Sequence, residues 1–458
     1  MRSPRKDGSD HLRTARLLWR AAERGAVFEL MDDDQSVLGV RRSAVRPEPF
    51  GLSQSDRRGH LYVVGKTGTG KSTLLRNLIT QDIEAGRGLA VLDPHGDLAE
   101  ELLDYIPPWR DRHVVYFNPA DLSHPIGLNL LENVPPDQRS VVASNIVAAF
   151  RHIWGESWGP RLEYILFNTI SALLDLPQAS LLGVQKMLID ERYRDYVAAR
   201  VRDPVVRRFW QHEFAGYDRR FVMEATSPIQ NKVGQLFGAP SLRNILGQTR
   251  SGISLRFMMD EKRLLIANLS KGRLGETHAA LLGALLVTEI QRAALARADA
   301  PASARTDFAL YIDEFQNFLS DSVASLLSEI RKYGVSLTLA NQFVGQLTPP
   351  IRQAVLGNVG SLICFRVGAE DAEELTRELH PFSAESLTDL SRFEACCRLL
   401  RQGQPSEPTT IKTLPPFGTY YGRREHLIEQ SRRRFGTPRA TVENKIARYL
   451  GDNPTSFG

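Results

Sequence analysis

Short apolar runs stopped by glycine or acid alternate with longer stretches of helical spacing in the N-terminal part of this chain. His60 to Gly65 (His-Leu-Tyr-Val-Val-Gly) enters a glycine-rich loop, and Ser72 to Ile83 follows with Leu74, Leu75, Leu78 and Ile79 at helical spacing. The next run, Gly88 to Leu92, ends at Asp93-Pro94-His95-Gly96-Asp97, where the pattern predicts a helix N-capped by Asp97 and carrying Leu98, Leu102 and Leu103. His113 to Phe117 supplies a further strand. Strand and helix in alternation predict an α/β fold with a mainly parallel sheet covered by helices.

From about Pro135 to Gly247 the period changes. Asp137–Ile153, Arg161–Leu174, Glu191–Arg202, Pro204–Phe214 and Phe221–Phe237 all repeat at helical spacing, with no convincing strand among them. Strands resume at Arg263–Asn268, Phe308–Ile312, Ser336–Ala340 and Ser361–Phe365, with helices at Thr277–Arg297 and Val323–Tyr333 between them. The expected organisation is a basic N-terminal segment (1–50), the first part of an α/β core (51–134), an all-helical insertion (135–250), the second part of the core (251–414) and a basic C-terminal tail (415–458) with one or two short helices.

Composition narrows the class. With 458 residues the chain is too long for one ordinary domain, and 42% apolar with 24% charged residues is the balance of a folded globular protein. The longest apolar stretch, Ala279 to Ile290, reads as a buried helix too short to span a bilayer, and no apolar run follows the basic N-terminus to make a signal peptide. Cys364, Cys396 and Cys397 form no disulfide framework, and the adjacent pair on a strand points to opposite faces, so a reduced cytoplasm is expected. The net charge of +5 is compatible with nucleic acid without establishing it. Basic residues gather in the first 24 positions, in Arg200–Arg208 with Arg219 and Arg220, and from Arg423 to Arg448; the alternative is solvated helix faces and a solubilising tail.

The chemistry lies at the strand ends. Gly65-Lys66-Thr67-Gly68-Thr69-Gly70-Lys71-Ser72, followed by Thr73, has the spacing of a phosphate-binding loop between strand and helix. Its backbone N–H groups and the helix N-terminus would cradle the phosphates of ATP, with Lys71 at the β- and γ-phosphates and Ser72 on magnesium. Phe308-Ala-Leu-Tyr-Ile-Asp-Glu ends a strand in two acids: Asp313 would hold magnesium through water, and Glu314 would activate the attacking water. Asn341 and Gln342 end a further strand, where an amide can sense the γ-phosphate. Arg331, eleven positions before Gln342, could face a neighbouring subunit or, with Lys332, complement a helix dipole. Arg366 could be a second phosphate sensor, and Lys271 and Arg273 could touch a nucleic-acid backbone; ordinary surface roles are favoured for these three. His95 between Asp93 and Asp97 lacks a second ligand at metal spacing and reads as part of a capped turn.

Together, Val63-Val-Gly-Lys-Thr-Gly-Thr-Gly-Lys-Ser-Thr, Leu92-Asp-Pro-His-Gly-Asp-Leu, Tyr311-Ile-Asp-Glu-Phe-Gln-Asn-Phe, Arg331-Lys-Tyr-Gly-Val, Leu339-Ala-Asn-Gln and Asn358-Val-Gly-Ser-Leu-Ile-Cys-Phe-Arg resemble the HerA–FtsK superfamily, and more closely the TraG/TraD-like coupling ATPases of type IV secretion and conjugation. The resemblance runs from about Arg58 to Leu414. It implies a RecA-like P-loop core, ATP and Mg2+ as cofactors, and a hexameric ring that pumps DNA through a central channel. On the family pattern Gln342 becomes the γ-phosphate sensor and Arg331 the finger reaching the next subunit's ATP, while the helical block faces a relaxase, other secretion components or DNA. Coupling proteins commonly begin with transmembrane helices; none is expected here, which implies a cytoplasmic relative or one docked at the inner membrane through partners. A HerA-like or VirB-like motor and an ATP-switched docking adaptor are the competing readings.

Overall fold

The computed structural model describes residues 34–42, 47–318 and 323–451; the basic cluster at the extreme N-terminus lies outside them. Strands run in chain order β1 (Gln35–Arg42), β2 (Pro47–Ser53), β3 (Leu61–Val64), β4 (Gly88–Asp93), β5 (Val114–Phe117), β6 (Leu264–Asn268), β7 (Phe308–Ile312), β8 (Val335–Asn341), β9 (Ser361–Cys364), β10 (Glu394–Arg398), β11 (Leu400–Arg401), β12 (Gln404–Pro405) and β13 (Thr409–Thr413). All but the small β11–β12 hairpin join one 11-stranded sheet in the order β2-β1-β13-β10-β9-β3-β8-β7-β4-β6-β5. From β9 to β5 the pairing is parallel, and from β10 to β2 antiparallel.

The central strands are short and buried on both sides, which is why they read as continuous apolar runs. Their pleat sorts side chains between two cores. Tyr62, Val64, Ala90, Leu92, Leu310 and Ile312 face one core, and Leu61, Val63, Leu89, Val91, Ala309 and Tyr311 face the other. The second core is closed by the helices Lys71–Glu84 and Asp97–Leu103. The first continues without a break into the helical block of Arg139–Trp154, Pro160–Leu173, Leu182–Ile189, Glu191–Ala198, Pro204–Arg208, Arg219–Gly238 and Pro240–Leu246. Asp190, Asp203 and Asp218 cap three of these helices through their carboxylates, so each start is marked by a side chain that satisfies orphan N–H groups. Cys396 and Cys397 on β10 belong to opposite cores, as alternation requires, and all three cysteines are free.

Several expectations are corrected. The segment expected to end at residue 50 contributes β1 and β2 to the sheet; β1 and β2 lack the continuous apolar run of a two-sided strand. Residues beyond 415 are more than a tail, because the helices Arg424–Phe435 and Arg439–Leu450 pack on the core through Leu427, Val442 and Ile446. Their basic residues are engaged: Arg424 pairs with Asp104, Arg432 with Asp121, and Arg423 with Asp111. Asp97 is the first residue of its helix and not its cap; the capping carboxylate is Asp93, which accepts from Ala99 N at 2.9 Å. The stretch Glu276–Asp299 is long and apolar enough to cross a membrane by length and composition, but the Ala279–Ile290 run within it is the buried helix that its pattern predicts. It is packed inside the protein, with Leu281, Leu282, Leu285, Leu286 and Ile290 fully buried.

Candidate nucleotide site

The parallel half of the sheet brings the C-terminal ends of β3, β8, β7 and β4 side by side, so the glycine-rich loop after β3, the acids after β7, the amides at the end of β8 and Asp93 at the end of β4 come together. After β3 the loop turns through Gly68 (φ 77°) and Gly70 (φ 125°) into the helix Lys71–Glu84. Close approach requires glycine twice: a Cβ on Gly65 would stand 2.5 Å from Phe365 Cβ, and one on Gly70 2.9 Å from the Phe393 ring. The loop is braced by its own Thr69, whose hydroxyl donates to Lys66 O at 2.7 Å, and by Lys66 N donating to Arg366 O at 2.9 Å.

A cavity of about 220 Å³ opens above it, lined by Thr67, Gly68, Gly70, Lys71, Ser72 and Thr73 from the loop and by Asp313, Glu314 and Gln342 from the neighbouring strands. The remaining expected loop residues, Gly65, Lys66 and Thr69, are not among its lining. Lys71 Nζ lies 3.6 Å from Glu314 Oε1, and both side chains are buried. Asp313 is likewise buried, and burial together with the nearby Glu314 and Asp93 carboxylates pushes its carboxyl up to about 6, against the opposing pull of Lys71. Glu314 sits at φ 45°, in the left-handed region. Three neighbours hold it there. Its N–H donates to Asp313 Oδ1 (3.0 Å), Gln316 Nε2 donates to its carboxylate (2.9 Å), and Asn317 Nδ2 donates to its carbonyl (2.7 Å). Asn317 in turn accepts from Lys271 Nζ at 2.7 Å.

Gln342 accepts from the Thr67 hydroxyl at 3.1 Å, while Asn341, the other amide, is fully buried against Tyr62. Behind the acids, Arg57 pairs with Asp82 through both guanidinium nitrogens (2.6 and 2.8 Å), and the Tyr311 hydroxyl donates to Asp82 at 2.6 Å. Burial alone would raise the Asp82 carboxyl; the guanidinium against it holds it below its ordinary value. This buried triad fastens β7, two residues before Asp313, to the helix that begins at Lys71.

Not every expected residue meets at this cavity. Arg331 is exposed before the N-terminal end of β8, so a seven-residue strand, about 20 Å long, separates it from Gln342. Arg366 contributes its carbonyl to the loop, and its side chain is not among the groups lining the cavity. Arg273 pairs with Glu100 at 3.0 Å. Two lining residues, Arg392 and Phe393, were not found in the sequence, and nothing near them in the chain marks them: the sheet order alone brings the start of β10 to the loop. His95, read as part of a turn, also lines the cavity.

Among the described residues no cluster of three or more His, Cys, Asp or Glu could hold a metal. The oxygen donors Ser72 and Asp313 beside a phosphate cradle nonetheless suit magnesium, which takes most of its ligands from phosphates and water.

Comparison with known proteins agrees with this geometry. Residues 54–173 match the family model described as the central domain of helicase HerA. No curated protein sequence matches. Among solved structures, the bacterial conjugative coupling protein TrwBdeltaN70 superposes at TM-score 0.62 and 14% identity, over 87% of this chain and 93% of that one. TrwB in complex with ADP and Mg2+ superposes at 0.60 and 15%, over 87% and 94%. VirB4 of Thermoanaerobacter pseudethanolicus superposes at 0.54 and 15%, over 84% and 98%. The resemblance to the HerA–FtsK ATPases carried by the sequence motifs is borne out, and the fold is that of the conjugative coupling proteins.

Proposed function

We propose that this chain, with the fold of the conjugative coupling proteins and a HerA-type segment, is an ATP-hydrolysing motor that moves DNA in conjugative transfer or type IV secretion. The observation that carries the reading is the cavity in which Lys71 and Glu314 stand 3.6 Å apart, flanked by Asp313 and Gln342. Phosphate oxygens entering the loop compete with Glu314 for Lys71, and the freed carboxylate takes the proton of the attacking water. Gln342, hydrogen-bonded to Thr67, lies where an amide can register the terminal phosphate. Ser72 and Asp313 are the groups that would hold Mg2+, which offsets charge on the β- and γ-phosphates when bound.

The distance of Arg331 from its own cavity supports a role on another subunit's nucleotide, in a ring taken to be a hexamer. The match to the HerA central domain favours, as the second reading, a motor for DNA processing outside secretion. Measurement of ATP hydrolysis with and without single- and double-stranded DNA, alongside the mass in solution, tests the proposal. Turnover stimulated by DNA in a multimeric species is expected, with a response that weakens steeply as salt rises. Turnover indifferent to DNA at all salt concentrations would contradict the motor and favour the adaptor.

A further inference from the structure

The strand order orients whatever lies in the cavity. On one side of β3 stand β8 and β7 with Gln342 and Glu314, and on the other stand β9 and β10. A nucleotide whose terminal phosphate meets Lys71 and Glu314 therefore directs its α-phosphate toward Thr73 and the β10 side.

That side is built. Phe393, at the turn into β10, donates its N–H to Thr69 O at 2.8 Å, and its ring packs over Gly70. It is held at φ 66° by Thr413, whose N–H and hydroxyl both donate to its carbonyl (2.8 and 3.1 Å). Arg392 is exposed, lays its guanidinium 4.7 Å from the centroid of that ring, and lines the same cavity as Lys71, Ser72 and Thr73. No carboxylate pairs with it among the described residues. A stacked guanidinium without an acid partner, beside a phosphate cradle, is a preorganised anion ligand.

We infer that Arg392 is a nucleotide-binding residue that bonds the α-phosphate in its own subunit, with Phe393 as the platform that aims it. This rests on the nucleotide reading above. It distinguishes Arg392 from Arg331: one holds the diphosphate common to ATP and ADP, and the other acts on hydrolysis alone.

The test is titration of fluorescent ADP and of a non-hydrolysable ATP analogue, both with Mg2+, into the intact chain and its Lys71→Ala, Arg392→Ala and Arg392→Lys variants. Circular dichroism confirms that each is folded. Arg392→Ala should weaken both ligands by the same factor, about tenfold, the loss of one charge-assisted hydrogen bond, with Arg392→Lys between it and wild type. If wild type binds, Lys71→Ala weakens binding and Arg392→Ala stays within about twofold of wild type, the inference falls and the nucleotide reading stands. Weakening of the ATP analogue alone also overturns it, by placing Arg392 at the terminal phosphate. If wild type binds neither ligand, the nucleotide reading falls first.

Discussion

Glu314 combines a left-handed backbone, a buried carboxylate and a lysine partner at 3.6 Å, a conformation that holds only because Asp313, Gln316 and Asn317 all bond to it. Glu314→Gln keeps the shape and loses the base, so nucleotide should bind while phosphate release falls by about 10²–10⁴; a variant that releases phosphate at the wild-type rate would remove Glu314 from the chemistry. The loop and the acids were legible because each lies within a few residues of its strand. Arg392, Phe393 and the Lys271–Asn317 contact were not, since only the sheet brings those segments together. His60 makes a separate, testable demand. Its ring is buried, with Nδ1 accepting from Leu337 N and Nε2 donating to Leu327 O, and burial pushes it down to about 4. Because the unfolded chain protonates near 6.5 and the folded one near 4, this histidine's stability contribution is full above the higher value and drains as pH falls toward the lower. Between pH 7 and 5 the unfolding free energy should drop by about 2 kcal/mol from this group. Denaturant titrations of wild type and His60→Asn at both pH values check it, and equal pH slopes for the two would refute it.

At the scale of elements, the strands that carry the site were readable as apolar runs because both of their faces are covered. The antiparallel strands β1, β2 and β13 were not, since strands at and near the edge mix polar with apolar positions and resemble loops by composition. The C-terminal helices were expected, but their charge hid that they pack on the core. Arg424–Phe435 covers β5, the edge of the parallel half, with Ser431 accepting from Tyr116 N at 2.9 Å and Leu427 filling the core. An edge covered in this way is protected from pairing with other chains. Leu427→Ala should therefore cost about 2–5 kcal/mol in urea denaturation, whereas Arg433→Ala, which breaks an exposed pair with Glu429, should cost under about 0.5. Similar small losses for both would mean that the helix is an ornament on the sheet.

At the scale of the whole molecule, the sheet separates two kinds of function by its polarity. The C-terminal strand ends hold the candidate nucleotide cavity, and Arg331 stands at the opposite end of β8, about 20 Å from Gln342. Within one subunit such an arginine can do nothing for hydrolysis. Across an interface it can place a guanidinium on the charge that builds at the γ-phosphoryl group, an effect worth about 10³–10⁵ in rate. The central claim is that one subunit's cavity is completed by its neighbour, and the direct measurement is phosphate release from mixtures of Lys71→Ala and Arg331→Ala proteins, with subunit exchange confirmed by labelled co-assembly. Each variant alone should be inactive, and the mixture should regain part of the wild-type rate, because some interfaces join an intact loop to an intact finger. Full activity of Arg331→Ala alone, or mixed assemblies that form and stay inactive although a minority of dead subunits does not silence wild type, would contradict it.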